Sequence, residues 1–227
     1  VSEVLLAFAF FLALHSIPAL PAVRANLVGL VGHRAYISLY SIASVIALAW
    51  LFHAALQLDY VEIWAPAPWQ AWVTLVLAPI GIFLVLGGLF SANPFSISFR
   101  KTRDNADAIV GVTRHPVLWG FLFWSLAHLA PNGDLRSLIL FGGLALFSAL
   151  GFLMLERRAR KRWGGRWEAL SSRNSVLPFA AILGGRAPLR LDAPTAAAVL
   201  LTVLITAWLL LGGHAVLFGA DPLLLVR

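Results

Sequence analysis

The sequence predicts an all-α fold, a polytopic membrane helical bundle of about six transmembrane helices with both termini on the non-cytoplasmic side. Three observations carry this. Of 227 residues, 60% are hydrophobic and 12% charged, with a mean hydropathy of +0.86; a soluble domain could not hide so much apolar surface. The apolar residues gather into runs that approach or exceed the ~20 needed to cross ~30 Å of hydrocarbon as a helix. Basic residues fall on one side of such a bundle: 15 of the 17 Lys and Arg lie in three loops that share a face, while Arg136 and Arg227 lie opposite with Glu3, Asp59, Glu62, Asp134 and Asp221. Cytoplasmic loops collect Lys and Arg, so that face is the inner one.

The first run, Val4 to Leu20, is preceded by Glu3 and leads into Pro21 and Arg24. It lacks the basic start and small-residue cleavage site of a signal peptide and reads as a helix. Pro18 has no N–H to give the carbonyl of Leu14, so the helix kinks or ends there. Arg24 and Arg34 mark the first inner loop, in which His33 reads as solvated. The second run is Tyr36 to Leu58. An outer loop, Asp59 to Trp69, carries Trp64, Pro66, Pro68 and Trp69, as interfacial segments do. The third run, Trp72 to Phe90, leads to an inner loop with Arg100, Lys101, Arg103 and Arg114. The fourth and fifth runs are Ile109 to Ala130 and Leu135 to Leu155. A basic segment at about 156–193 mixes Arg and Lys with Trp163, Trp167, Leu170, Phe179 and Ile182. It suits a helix that continues from the fifth run and lies along anionic headgroups; a lid over a cytoplasmic cavity is the alternative. The sixth run is Thr195 to Leu217. With no internal repeat and no low-complexity linker, residues 1–227 read as a single membrane domain.

Composition also excludes. Cysteine is absent, which removes disulfides, thiolate metal sites and cysteine nucleophiles. The net charge of +7 is accounted for by the inner loops, so the expected partner is the lipid bilayer and no nucleic acid is implied. Any metal must be held by histidine, carboxylate or backbone.

Five of the six histidines fall in or at the edge of an apolar run, where ionisable groups are functional candidates. His53 and His214, near the outer ends of their runs, read as interhelical hydrogen bonders. His15 stands three residues before Pro18. His115 and His128 are 13 residues apart, which on one helix is about 20 Å along the axis and on separate faces, so they cannot both grip one metal. His128 shares a stripe with Val117, Phe121 and Trp124, with Gly120 beside it. That face suits a flat macrocycle or polyene, or a packed helix interface. Arg114 and His115 precede Pro116 at a helix start, where they suit an anion such as a carboxylate, a phosphate or a lipid headgroup.

Three segments carry a resemblance: LHSIPALPAVRANLVGLVGHRAYISLYSIAS, TRHPVLWGFLFWSLAHLAPNGDLRSLILFGG and RWGGRWEALSSRNSVLPFAAILGGR. Together they resemble the NnrU domain family of bacterial integral membrane proteins, which also contains the zeta-carotene isomerase of plants and cyanobacteria. The resemblance implies a multi-pass protein of the bacterial inner membrane. It implies a haem b cofactor, His15 in LHS and His128 in AHL as iron ligands, a redox-dependent change of axial ligation, and conversion of a cis double bond of a carotenoid-like polyene to trans. A dry bilayer pocket can hold porphyrin and polyene together. One departure matters, since Ser125 stands where the plant enzyme has a cysteine before the second histidine, and a switch involving that thiol is absent. Helix rise puts His15 about 8 Å and His128 about 18 Å from the cytoplasmic boundary, which favours His115 as the alternative partner of His15. The resemblance favours His128.

Two other functions fit the residues. The family name implies an accessory role in denitrification and nitric oxide metabolism, without catalysis. Ranked lower, RHP followed by Glu156 and RWGGRWEALSSRNSVLP imitates the isoprenylcysteine carboxyl methyltransferases, although their paired glutamates are here Glu156 followed by Arg157.

Overall fold

In a computed structural model, the structure describes residues 2–100 and 106–226 and is helical, with isolated β-bridges in place of strands among the described residues. Lys101 and Arg103, counted above in an inner loop, lie outside the described residues. The helices are α1 (Ser2–Ser16), α2 (Pro21–Val31), α3 (His33–Leu56), α4 (Pro68–Phe90), α5 (Ile109–Val112), α6 (Pro116–Leu129), α7 (Leu135–Ser137), α8 (Gly143–Trp163), α9 (Trp167–Ser171), α10 (Ala180–Leu183), α11 (Ala193–Trp208) and α12 (His214–Phe218).

Among the described residues, four helical stretches are long and apolar enough to cross a membrane: His33–Leu56, Pro68–Phe90, Leu135–Ser171 and Ala193–Phe218; α1 and α2 make a fifth if counted as one broken span. The protein is thus a membrane protein with fewer clear spans than the six runs suggest. Two runs account for the difference: the first, broken between α1 and α2, and the fourth. The fourth run's residues form the short α5, then an extended Thr113, and α6 begins at Pro116 and has only 14 residues. That is about 21 Å of helix, short of the ~30 Å hydrocarbon thickness.

Two compact units divide the chain, Val1–Ile63 with Asp134–Leu140 and Trp64–Gly133 with Phe141–Arg227. In the first, α1 and α2 pack on α3. The buried face of α1 is Val4, Ala7 and Phe11, and that of α3 is Ala47, Leu51, Ala54 and Ala55, both at helical spacing. α1 ends at the Pro18 break, where Ile17–Ala19 tightens into a 3₁₀ turn. The chain between the first two runs is therefore helical, not a loop. Asp134 starts α7, its carboxylate accepting the Ser137 N–H at 3.1 Å and the Ser137 hydroxyl at 2.8 Å.

In the second unit the main contact is α4 against α6, with α11 on α4 and α8 on α6. Small residues set the α4–α6 distance. Thr74, Gly81 and Gly88, each seven residues apart, meet Ala127, Gly120 and Pro116–Val117 in antiparallel order. A Cβ at Gly120 would lie 2.6 Å from the Gly81 carbonyl oxygen, and one at Gly88 would lie 2.7 Å from Val117 Cγ2. The Thr74 hydroxyl donates to the Ala127 carbonyl at 2.7 Å. Such close backbone approach is how helices associate in lipid, where apolar burial gives no driving force.

The basic segment is folded onto this unit. α8 ends at Gly164 (φ 49), and α9 and α10 follow as short turns before the extended approach to α11. Phe179 sits in the left-handed region at φ 62, its N–H held at 2.7 Å by the Val112 carbonyl. Asp192 caps α11 through the Thr195 N–H at 3.0 Å and binds the Ala108 N–H at 2.7 Å. Burial alone would raise the Asp192 carboxyl, but these donors outweigh it and hold it below its ordinary value.

Candidate functional site

The sequence-predicted residues separate into a polar cluster at the start of α6 and an aromatic one at its end, with His15 in the other compact unit.

At the start, Arg114 is 6% exposed and every nitrogen of its guanidinium is engaged. Nη1 donates to both Glu156 oxygens at 2.8 and 2.9 Å, Nε to Asn174 Oδ1 at 2.6 Å, and Nη2 to the carbonyls of Ser171 and Asn174 at 3.3 and 3.4 Å. Phe95 and Trp167 cover the guanidinium at 5.6 and 4.8 Å. His115 is fully buried, with Nε2 2.8 Å from Glu156 Oε1. A carboxylate accepts, so Nε2 carries the proton, and Nδ1 is buried without a hydrogen-bond partner. Arg114 and His115 therefore do not greet an external anion: their charges and donors are closed on Glu156 and Asn174. The His115 ring has no exposed surface.

This cluster joins the start of α6 to the basic segment. The Arg114 N–H donates to Ser175 O, and the Thr113 hydroxyl and Trp119 Nε1 to Val176 O, each at 2.7 Å. Asn93 Nδ2 donates to Arg114 O at 3.0 Å. Asn93, Trp119 and Asn174 were not singled out by sequence reasoning. The only signal for Asn174 was its place in the SSRNS string, because its partner is 60 residues away.

At the far end, His128 is half-buried with Nδ1 2.8 Å from the Trp124 carbonyl. A carbonyl only accepts, so Nδ1 carries the proton and Nε2 bears the lone pair. The Trp124 and Phe141 rings lie 4.3 and 5.3 Å from the imidazole. His214 lies beside it, ring centroids 6.5 Å apart and planes within 19°. Sequence spacing offers no hint of this neighbour. His15 is built in the same way as His128. Its Nδ1 is 2.7 Å from the Phe11 carbonyl four residues back, and the Phe11 ring is 4.2 Å away.

The rest of the expected stripe is divided. Gly120 is filled by α4, so its thinness serves helix packing and leaves no slot there for a flat ligand. Phe121 is 44% exposed on the outer surface. Ser125 is fully buried with a hydroxyl that has no hydrogen-bond partner. Among the described residues no group of three or more His, Asp or Glu gathers to hold a metal ion.

Comparison with known proteins agrees with the resemblance. The chain is 38% identical over 84 residues to the chloroplastic 15-cis-zeta-carotene isomerase of Zea mays, a match covering 37% of this chain and 23% of that protein. To the enzyme of the same description from Arabidopsis thaliana it is 38% identical over 78 residues, covering 34% and 21%. The match thus spans less than a quarter of the length of these curated relatives. No solved structure matches. The model of the NnrU protein family matches residues 3–222, so over nearly its whole length the chain belongs to the NnrU family.

Proposed function

We propose that this protein is a haem b-dependent cis–trans isomerase of a carotenoid-like polyene, a multi-pass protein of the bacterial inner membrane with six membrane-crossing segments and both termini outside the cytoplasm. The observation that carries the reading is His128: an imidazole whose Nδ1 is fixed by a backbone carbonyl, leaving Nε2 as the nitrogen for a metal, bordered by Trp124 and Phe141. The carbonyl that fixes a ligand's other nitrogen is the usual support for metal-binding histidine. This donor chemistry fits haem iron, and His15, the second ligand implied by resemblance, also has its Nδ1 on a carbonyl four residues back. Haem held by these histidines would supply an iron able to interact with a conjugated system and lower the barrier to rotation about a double bond.

The chain's own residues do the remaining work. Trp124 and Phe141 place apolar rings beside His128. The Gly81–Gly120 contact holds α6 at a fixed distance from α4, and the Arg114–Glu156–His115 cluster fixes where α6 begins. Ser125, one helical turn before His128, supplies a buried hydroxyl where the resemblance has a thiol, so no sulfur ligand would be available to haem iron held by His128.

An oxidised-minus-reduced spectrum of purified protein tests the cofactor, and conversion of a 15-cis polyene by the same preparation tests the activity. A b-type difference spectrum with turnover is expected. Haem without turnover, in a deletion strain that fails to grow on nitrate, would favour the accessory role in nitric oxide metabolism.

A further inference from the structure

The basic segment, read from sequence as a helix along the headgroups, is built otherwise. Of the five apolar side chains mixed into it, Trp163, Trp167, Leu170 and Ile182 pack inward on the core around Phe95, Ile109 and Val112. Trp163 Nε1 also donates to the Pro94 carbonyl at 3.3 Å, and Trp167 lies edge-on to Phe95. The aromatic side chains best suited to anchor the segment at a membrane surface are thus used inside the protein. Phe179 alone of the five is exposed, at 49%.

Phe179 is held outward in an unfavourable backbone conformation. A φ of 62° is rare for a residue with a Cβ and persists only where the surroundings impose it. Here the Val112 carbonyl takes the Phe179 N–H, and the Leu183 N–H bonds the Phe179 carbonyl at 2.9 Å. One turn apart, Phe179 and Leu183 share the outer side of α10, while Ala181 is buried on its inner side. Leu183 is 85% exposed, and Leu177, on the preceding turn, 62%. Hydrogen bonds from Arg114, Thr113 and Trp119 to Ser175 and Val176 tie the same stretch to the start of α6. An apolar corner is therefore fixed in an exposed position by the fold.

Position and charge identify what covers it. Residues 172–192 leave one candidate membrane span, Leu135–Ser171, and enter another, Ala193–Phe218, so both ends of this stretch lie at the bilayer surface. From residue 157 to residue 191 the chain carries nine Lys and Arg against one acidic residue, Glu168. Arg173 and Arg190 flank the corner along the chain, both exposed and without an ion pair among the described residues. Apolar side chains bracketed by arginine suit the boundary between acyl chains and anionic headgroups.

We propose that the corner of Leu177, Phe179 and Leu183 dips into the bilayer leaflet on the basic side, with Arg173 and Arg190 on the phosphates of anionic phospholipid. The docking surface belongs to the fold and is independent of the proposed isomerase activity.

Because the chain has no cysteine, Leu183→Cys carries a single environment-sensitive fluorophore on the whole protein, held in nanodiscs of phosphatidylcholine with or without phosphatidylglycerol. The Leu183→Cys probe is expected to emit at shorter wavelength, to be quenched by nitroxide on lipid acyl chains, and to be shielded from aqueous iodide. Exposed Ser172→Cys, labelled in the same way, shows the reverse. Phosphatidylglycerol deepens the lipid quenching, and Arg173→Gln with Arg190→Gln abolishes that gain. Iodide quenching of the Leu183→Cys probe equal to that of Ser172→Cys overturns the proposal. So does shielding from iodide without quenching by lipid, which marks a protein occupant such as a second copy. Lipid quenching that ignores phosphatidylglycerol, or a gain that survives both arginine substitutions, overturns the assignment to anionic lipid.

Discussion

Arg114 and His115 show what one residue's sequence neighbourhood conveals and what it omits. Arg-His-Pro at a helix start is a pattern suited to anions, and the protein does supply an anion, the carboxylate of Glu156. That carboxylate is 42 residues from Arg114, and Asn174 is 60 residues away. No local pattern reaches so far, which is why the motif by itself suggests an anion from outside the protein. Because Arg114 is buried, removing its counter-charge leaves a guanidinium without compensation. Glu156→Gln should cost about 3 kcal/mol, seen as a clear drop in the thermal midpoint in detergent, whereas exposed Arg157→Gln should change stability by less than about 0.5 kcal/mol. Equal midpoints for the two variants would remove the cluster from any part in holding α6.

Among the elements, the long apolar runs were legible because hydropathy and length are properties of the run itself. α3, α4 and α11 follow the runs closely at one end or both. The fourth run was misread because its apolar content does not reveal that the backbone leaves the helix at Thr113–His115. There the carbonyl and amide groups find partners in Asn93 and Ser175 instead of within a helix. Gly120 was read as room for a ligand or as a helix interface, and the structure uses it as the second. Its Cβ would meet backbone of α4, which does not yield as a side-chain tip would. Gly120→Val should therefore destabilise the protein by about 2 kcal/mol or more through overpacking. Gly29→Ala, with nothing within 4 Å of the new methyl, is the matched control and should be neutral or stabilising. The pair is compared by thermal unfolding in detergent; a tolerated Gly120→Val would contradict the close α4–α6 seam.

For the whole molecule, charge asymmetry and helix length bear on different questions. The basic loops imply an orientation, and the helices limit the number of segments that cross the bilayer unaided: four by length and composition, five with the broken α1–α2 pair. The proposed six-crossing arrangement asks α6 to complete a span that its own 14 residues do not fill. Because the chain has no cysteine, single introduced thiols report sidedness without background. Ser172→Cys should be modified by an impermeant thiol reagent only from the cytoplasmic face, and Ser2→Cys only from the opposite one. Labelling of both positions from the same side would contradict the odd number of crossings proposed between them and the proposed orientation of the termini.

Central to the proposed function is that His128 would hold haem iron. It is tested most directly by the haem content of purified protein, measured as the reduced-minus-oxidised difference spectrum per mole of chain. Wild type and His115→Ala are expected to retain the b-type signal, because the His115 ring is closed on Glu156, and His128→Ala is expected to lose it. A wild type without haem, or a His128→Ala variant that keeps the wild-type spectrum, would contradict the account.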